Sequence, residues 1–305
     1  MTIESFINKF SKLHPKSIDL SLTRIRKLLK KMGDPQNKLP SIIHVAGTNG
    51  KGSTISFIRS ILECAGIKVQ AYTSPHLIKF NERIRLANGI ISDEFLIEIF
   101  EECNYYNGND PITFFEITTV AAFLAFSRNE ADILLLEVGL GGRYDTTNVV
   151  KNPILTSITP ISIDHVDFLG ESIEEIAYQK GGIIKKNVPL VIGPQDKRSL
   201  KVLKKIAYEA NSPTTEFSRD WKYKILDNHY FEIQYLEEKM KLPKPGLLGK
   251  HQISNASQAI ACCLTQNKFK ISESNISKGL QQVYWPGRLQ KVYIELLELN
   301  HPKIE

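Results

Sequence analysis

The sequence predicts an α/β fold, a mainly parallel sheet flanked by helices with a small antiparallel sheet attached. Apolar runs typical of buried strands alternate along the chain with amphipathic helical segments, the order that builds a parallel sheet. The first such run, 41–47, leads through a glycine-rich turn into a helix over 53–65. Between 214 and 242 aromatic and polar residues alternate, which is typical of an antiparallel hairpin or small sheet.

Each predicted element follows from its hydrophobic pattern. Leu22, Ile25 and Leu29 recur at helical spacing in the first helix. The strand over 132–138 is continuously apolar, as expected of a strand covered on both faces. The predicted helices are 22–32, 53–65, 93–105, 116–127, 172–184, 254–264 and 274–283, and the predicted strands are 41–47, 68–72, 132–138, 154–159, 188–192, 221–225 and 230–235.

The composition is that of a globular protein. The chain has 305 residues, of which 42% are apolar and 24% are charged, enough for one large domain or two ordinary ones. The net charge of +6 is modest for this length. Because no dense basic tract with interleaved aromatic residues occurs, nucleic-acid binding is not predicted.

The sequence also predicts a cytoplasmic protein that does not bind a membrane. Residues 1–10 lack the long apolar run of a secretory signal. The most apolar stretch, 117–126, is too short to span a bilayer. Because the four cysteines form no CxxC pair, we expect buried thiols in a reducing compartment. These cysteines are Cys64, Cys103, Cys262 and Cys263.

A glycine-rich loop between the first strand and its helix is the strongest single motif. In this position, backbone N–H groups point toward a polyphosphate, aided by the helix N-terminus. Lys51 is expected to neutralise phosphate charge, and Ser53 or Thr54 to assist a magnesium ion. The residues predicted to bind the nucleotide are Gly47, Thr48, Asn49, Gly50, Lys51, Gly52, Ser53 and Thr54.

This loop departs from the general pattern GxxxxGK[ST]. Val45 stands where that pattern has its first glycine, and Gly52 stands where it has a hydroxyl residue. A loop with several glycines can also be a plain tight turn. The preceding strand and the Lys-Gly-Ser at the helix start favour ATP binding over that alternative.

The particular loop sequence GTNGKGS resembles that of the Mur ligase superfamily and, within it, of the folylpolyglutamate and dihydrofolate synthases. Further motifs follow in the same order and extend the resemblance over nearly the whole chain. They are TSPHL at 73–77, NERI at 81–84, LEVGLGGRYD at 136–145, IDH at 163–165, QKGGII at 179–184, GKHQISNA at 249–256 and WPGRL at 285–289. The resemblance implies a fold of the Mur ligase central-domain type.

The resemblance implies an activity as well. Relatives transfer the γ-phosphoryl group of ATP to a folate-type carboxylate, and the amine of L-glutamate attacks the acyl phosphate. The implied ligands are therefore ATP, two magnesium ions, L-glutamate, and either folate or dihydropteroate. Such a reaction needs phosphate clamps and metal ions, because charge builds on oxygen atoms in the transition state.

Three residues are predicted metal ligands: Ser74, Glu137 and His165. Glu137 ends an apolar strand, where ligands collect in open α/β sheets, and a carboxylate suits magnesium. A capping or surface glutamate is the alternative. The metal roles of Ser74 and His165 rest on the resemblance, since a lone histidine is usually structural.

The predicted catalytic residues are Lys51, His165 and Lys180. The resemblance implies that Lys180 is carbamylated by CO₂, which turns a cation into an anion that helps to hold a second metal ion. An ordinary surface lysine at a helix end is the alternative.

The remaining predicted contacts also come from the resemblance. It implies that Asn255 recognises adenine, and that Arg288 reaches the ATP phosphates or ribose. Phe115 and Asp145 fall where relatives contact the pteridine, by stacking and by hydrogen bonding. An N-cap role for Asn255, a structural salt bridge for Arg288, and a plain core position for Phe114 or Phe115 are the alternatives.

The predicted domains are an ATP-binding domain over 1–290 and a truncated linker over 291–305. Full-length relatives continue into a C-terminal ligase domain with an Asp-Gly-Ala-His-Asn-Pro type motif, which does not occur here. We therefore expect weakened nucleotide binding and little ligation by this chain alone, unless a separate chain supplies that domain. An inactive ATP-binding remnant, a cell-wall Mur ligase and a P-loop kinase are the competing interpretations.

Overall fold

The computed structural model describes residues 2–16 and 18–287. Its described strands form one eight-stranded sheet and one three-stranded sheet. The strands of the large sheet are β1 (Ser41–Ala46), β2 (Val69–Tyr72), β3 (Ile84–Leu86), β4 (Gly89–Ile90), β5 (Ile133–Glu137), β6 (Leu155–Ile158), β7 (Leu190–Ile192) and β8 (Thr214–Glu216). The small sheet consists of β9 (Trp221–Ile225), β10 (Tyr230–Tyr235) and β11 (Glu238–Pro243).

The large sheet has the strand order β4-β3-β2-β5-β1-β6-β7-β8. All neighbouring pairs from β2 to β8 are parallel, while β3 and β4 extend the edge in antiparallel fashion. The three strands β9, β10 and β11 are antiparallel to one another. The predicted α/β fold class is therefore confirmed.

Helices cover both faces of the large sheet. The described helices are α1 (Ile3–Phe10), α2 (Thr23–Lys31), α3 (Lys51–Cys64), α4 (Asp93–Asn107), α5 (Phe114–Ser127), α6 (Val166–Leu169), α7 (Ile173–Lys180), α8 (Lys197–Glu209), α9 (Lys250–Thr265) and α10 (Glu273–Gln282). Short 3-10 turns occur at Pro35–Lys38, Phe80–Arg83, Thr146–Val149 and Gly181–Ile183.

The alternation of side chains along β5 divides the core. Leu134 and Leu136 pack with α1, α2, α4 and α5, whereas Ile133 and Leu135 pack with α3, α9, α10 and the small sheet. A third cluster joins α7 and α8 to the ends of β6 and β7. Successive strand side chains point to opposite faces, so a continuously apolar strand serves both layers at once.

Several elements differ from their prediction. The helix α1 and the helix α8 were not predicted, because each carries a narrow apolar stripe among many polar residues. The strand β8 joins the large parallel sheet beside β7, although its sequence was predicted to belong to the small sheet. With only three residues in β8, local sequence does not decide which sheet it joins.

Two further findings concern the thiols and the helices. Cys103, Cys262 and Cys263 are buried free thiols, as predicted, while Cys64 is partly exposed and also free. None of the helices within residues 2–16 and 18–287 is long and apolar enough to cross a membrane.

Candidate active site

The topology brings four strand ends together. The strands β2, β5, β1 and β6 are parallel neighbours, so the loops after them meet at one edge of the sheet. These loops begin at Thr73, Val138, Gly47 and Thr159. Ligands of open parallel sheets bind at this carboxyl edge.

The glycine loop after β1 has a backbone that side chains would not allow. Gly47 and Gly50 have φ angles of +145° and +85°, in the region that favours glycine. A Cβ on Gly47 would lie 1.9 Å from Thr159 Oγ1, and a Cβ on Gly50 would lie 2.3 Å from Asn255 Oδ1. Both glycines are therefore needed for conformation and for close packing.

The segment after β6 braces the loop. The N–H groups of Thr48 and Asn49 both donate to the carbonyl of Pro160, at 3.0 and 3.1 Å. The Thr48 hydroxyl accepts a hydrogen bond from Ser162 N, and Asn49 Nδ2 donates to Ser162 Oγ at 2.9 Å. These contacts fix the loop before any ligand arrives.

Two lysine amines converge on this loop. Lys51 Nζ and Lys180 Nζ donate to the same carbonyl oxygen, that of Gly47, at 3.1 and 3.0 Å. Burial, together with the positive charge of Lys51, lowers the pKa of Lys180 to about 7. Lys180 is only 4% exposed, so it is not the surface lysine of the alternative interpretation.

The hydroxyl residues of the first turn of α3 lie deep in the structure. Ser53 and Thr54 are buried, and Thr54 Oγ1 has no hydrogen-bond partner among the described residues. Gly52 packs against the ring of Trp285, since a Cβ there would lie 2.9 Å from the indole.

Glu137 and Ser74 meet at the edge beside the loop. Glu137 ends β5, is 4% exposed, and accepts a hydrogen bond from Ser74 N at 3.0 Å. In the sheet register it lies opposite Val45, two residues before the glycine loop. The structure thus brings together two of the three predicted metal ligands.

His165 is more exposed than either of those two residues. Its side chain is 52% exposed, and its Nε2 lies 3.6 Å from Asp164 Oδ2. Its φ angle of +50° places it at the start of the short helix α6. Among residues 2–16 and 18–287, no three His, Cys, Asp or Glu side chains are grouped so that they could hold a metal ion.

Asn255 packs directly on the glycine loop. It lies in α9, is 8% exposed, and its Nδ2 donates to Gln252 Oε1 at 3.0 Å. Its Oδ1 faces Gly50. It therefore lies within the helix rather than at its N-cap. Arg288 lies outside the described residues.

The two predicted pteridine contacts flank the loop after β5. The ring of Phe115 lies against Gly139, where a Cβ would be 2.3 Å from Cζ. Asp145 is 2% exposed and accepts hydrogen bonds from Leu140 N at 2.8 Å and Thr147 N at 3.0 Å. Burial raises the pKa of Asp145.

Sequence reasoning missed two residues that shape the site. The Glu82 carboxylate accepts hydrogen bonds from three consecutive backbone N–H groups, those of 77–79, and so fixes the loop after β2. Trp285 closes over Gly52. Both lie in motifs that the sequence predicts to be characteristic, NERI at 81–84 and WPGRL at 285–289, but only the structure shows what they contact.

The residues present fit a bound nucleotide. The glycine backbone leaves no room for side chains, and two amines converge on it. A buried hydroxyl beside it has no hydrogen-bond partner within residues 2–16 and 18–287. A carboxylate at the adjacent strand end supplies the oxygen ligand that magnesium prefers. Fold and site together are those of an α/β protein whose glycine loop is suited to a phosphate group.

Comparison with known proteins narrows this class. Residues 45–263 match the Mur ligase middle domain. The dihydrofolate synthase/folylpolyglutamate synthase of Bacillus subtilis is 39% identical over 293 residues, covering 89% of this chain and 66% of that protein. The protein of the same name from Escherichia coli is 33% identical over 290 residues, covering 95% and 67%.

Solved structures that resemble this chain include a protein named after the same two synthases as the sequence relatives. Escherichia coli FolC in complex with DHPP and ADP has a TM-score of 0.88 at 32% identity, over 96% of this chain and 69% of that one. The bifunctional folylpolyglutamate synthase/dihydrofolate synthase with Mn, AMPPNP and L-glutamate bound has a TM-score of 0.85 at 31% identity, over 96% and 69%.

The chain therefore belongs to the Mur ligase family and, within it, to the dihydrofolate synthase/folylpolyglutamate synthases. It spans about two thirds of the length of the curated relatives that it matches.

Proposed function

We propose that this chain binds ATP and magnesium and takes part in joining L-glutamate to the carboxylate of dihydropteroate or tetrahydrofolate. The observation that carries the proposal is the convergence of Lys51 and Lys180 on the glycine loop, at the sheet edge that also presents Glu137. The names of the relatives support the same activity, and one solved neighbour holds an ATP analogue, Mn and L-glutamate.

The loop residues would hold the triphosphate. ATP supplies the phosphoryl group that turns an unreactive carboxylate into an acyl phosphate, which an amine can attack. The Lys51 amine, which donates to a backbone carbonyl in this structure, would turn to the phosphate oxygens. A hydrogen bond in which both partners are ionised is stronger than the bond to an uncharged carbonyl that Lys51 would give up.

The predicted roles of the other residues are part of the proposal. Glu137 and Ser74 would hold magnesium with His165, and Asn255 with Arg288 would hold the nucleoside end of ATP. On the acceptor side, the ring of Phe115 would stack on the pteridine beside Asp145. The raised pKa of Asp145 favours a carboxyl group that can share a proton with a ring nitrogen.

Lys180 would carry a carbamate. With a pKa of about 7, a large share of its amines is uncharged at neutral pH. An uncharged amine attacks CO₂, forms an N–C bond and releases one proton, which leaves a carbamate anion. Incubation with ¹³C-bicarbonate should give a carbamate carbon signal that is absent from Lys180→Ala. A signal of equal size in that variant would contradict the assignment.

The decisive assay is ATP-dependent attachment of labelled glutamate to dihydropteroate and to tetrahydrofolate, with Mg²⁺ present. Lys51→Ala serves as the inactive control. Product that forms with the unmodified chain and disappears in the control supports the proposal, and the acceptor used identifies the specificity.

Nucleotide binding without product would support a different conclusion, an ATP-binding chain that does not ligate on its own. The separate chain that would supply a ligase domain stays a prediction. The division into a domain over 1–290 and a linker over 291–305 also stays a prediction.

A further inference from the structure

A pocket of about 490 Å³ lies beside the loop after β5 and is lined by three cationic side chains. Arg26 comes from α2, Arg143 from the loop after β5, and Lys185 from the chain after the Gly181–Ile183 turn. No acidic residue is among the described residues that line this cationic pocket.

Among the described residues, the three cations have no carboxylate partner. Within the part of the chain that the structure describes, none of Arg26, Arg143 and Lys185 makes an ion pair within 4 Å. The Nε of Arg143 is buried without a hydrogen-bond partner among the same residues. Burial and, after it, the positive charges of Arg26 and Arg143 lower the pKa of Lys185 to about 8.

Two of the three cations are nevertheless held in place. Lys185 Nζ donates to Asn148 Oδ1 at 2.6 Å, and Asn148 Nδ2 donates to the carbonyls of Arg143 and Gly182. The guanidinium of Arg143 lies 3.9 Å above the ring of Tyr178. Uncompensated positive charges that are fixed together in a partly buried pocket are costly unless an anion offsets them.

The N-terminus of α2 adds to the positive potential. Leu22 and Thr23, at the start of this nine-residue helix, also line the pocket. The N-cap residue, Leu22, has no side chain that could accept a hydrogen bond from the first turn. Ser21 Oγ accepts a hydrogen bond from Thr23 N at 3.2 Å, while the helix dipole still favours an anion at such an end.

We propose that the cationic pocket binds an oxyanion that carries no positive charge, either a phosphate or the carboxylate of a glutamate whose amine is already acylated. The ammonium of a free amino acid would face three cations and no carboxylate, so free L-glutamate does not fit. The proposed reaction would supply both oxyanions, phosphate as a released product and the carboxylate as part of a glutamyl tail. The inference therefore rests in part on the proposed function.

The pocket lies next to two segments that the proposed reaction uses. Asn148 belongs to the 3-10 turn that Asp145 caps, and Gly182 lies two residues after Lys180. Gly182 packs on the backbone of Arg143, where a Cβ would lie 2.4 Å from Cα. A ligand in the pocket would thus contact the segments that carry Asp145 and Lys180.

The test uses calorimetric titration of the full chain in a Lys51→Ala background, without nucleotide, so that the glycine loop does not compete for phosphate. The probes are inorganic phosphate, N-acetylated γ-linked triglutamate and free L-glutamate. Arg26→Gln and Lys185→Gln remove pocket cations. Lys30→Gln, on the same helix, and Lys186→Gln, the next residue, remove exposed cations outside the pocket and serve as matched controls.

We expect phosphate or the triglutamate to bind, and each pocket variant to weaken that binding about tenfold, as for loss of a charged hydrogen bond. The controls should bind as their parent does, and the tighter of the two probes identifies the source. Absence of binding by both probes, equal affinity in pocket and control variants, or equally tight binding of L-glutamate would overturn the proposal.

Arg26 is exposed, so its substitution tests the pocket even if Lys185→Gln fails to fold. Failure of ATP binding or ligation by the unmodified chain would contradict the proposed function. That failure would leave these titrations unaffected, because they contain no nucleotide and no loop lysine.

Discussion

The glycine loop and the network around Asp145 lie at neighbouring strand ends but are held in different ways. Most hydrogen bonds of the loop have a backbone group as donor or acceptor. Examples are the two N–H groups that donate to Pro160 and the Gly47 carbonyl that accepts from both lysines. Around Asp145, buried side chains bond to one another. The Thr147 hydroxyl donates to Asp145 Oδ1, and His44 Nε2 lies 2.9 Å from the same hydroxyl.

This difference determines what each region tolerates. A backbone-held loop depends on local conformation and on the space that glycines leave, so added side chains should disrupt it most. A buried side-chain network depends on each polar group keeping its partner, so removal of one hydroxyl should disrupt it. Substitutions in each region can test these two dependencies.

Gly50→Ala should damage the loop severely. Its φ of +85° is strained for alanine, and its Cβ would lie 2.3 Å from Asn255 Oδ1. We expect a loss of roughly 2–4 kcal/mol in the free energy of unfolding, from strain and overpacking together. Nucleotide binding should be lost as well. Denaturant unfolding and ATP titration measure the two effects.

Gly66→Ala is the matched control, because Gly66 has a similar φ of +78° but no atom within 4 Å of its added Cβ. It should cost only the strain, about 1 kcal/mol, and leave ATP binding unchanged. Equal losses in the two variants would show that packing against Asn255 does not matter.

Thr147→Val should destabilise the network around Asp145. The hydroxyl is fully buried and links His44 to Asp145, so its removal leaves two buried polar groups short of a partner. The expected cost is about 1–3 kcal/mol in the free energy of unfolding. It should also raise the pKa of Asp145 further, because the hydroxyl bond favours the carboxylate.

Thr147→Ser keeps the hydroxyl and should recover most of the lost stability. If serine were as destabilising as valine, the methyl group rather than the hydrogen bond would account for the loss.

His44, in the network around Asp145, should make the stability of the fold depend on pH. Burial and, to a lesser extent, the positive charge of Lys185 lower the pKa of His44 from 6.5 to about 3. Between these values the unfolded chain binds a proton at this histidine and the folded chain does not, so stability falls as pH falls through this window. The contribution to the slope is at most about 1.4 kcal/mol per pH unit.

His44→Gln should flatten the pH dependence of the free energy of unfolding between those limits. His251→Gln changes an exposed histidine and should leave the slope as it is. An unchanged slope in His44→Gln would mean that His44 is not held neutral by the fold.

The same contrast explains what the sequence predicts. The loop is predictable because glycines, a lysine and a strand–helix junction are adjacent in sequence. The small sheet is predictable too, since the observed β9 and β10 coincide with the predicted strands 221–225 and 230–235. Local sequence patterns are enough to predict an element that forms between residues close together in sequence.

Long-range contacts were not predictable. His44 and Thr147 are 103 residues apart, so no local pattern connects them. The same holds for Trp285 against Gly52, and for the three cations of the pocket, which come from distant segments. The placement of β8 in the large sheet depends on its pairing with β7 rather than on its own three residues.

If the glycine loop with Lys51 binds the ATP phosphates, as we claim, calorimetric titration with Mg·ATP should detect it. The unmodified chain should bind saturably, Lys51→Ala should bind about tenfold more weakly or not at all, and Lys68→Ala, which removes an exposed lysine, should bind normally. Equal affinity in all three chains, or no binding by the unmodified chain, would contradict the claim.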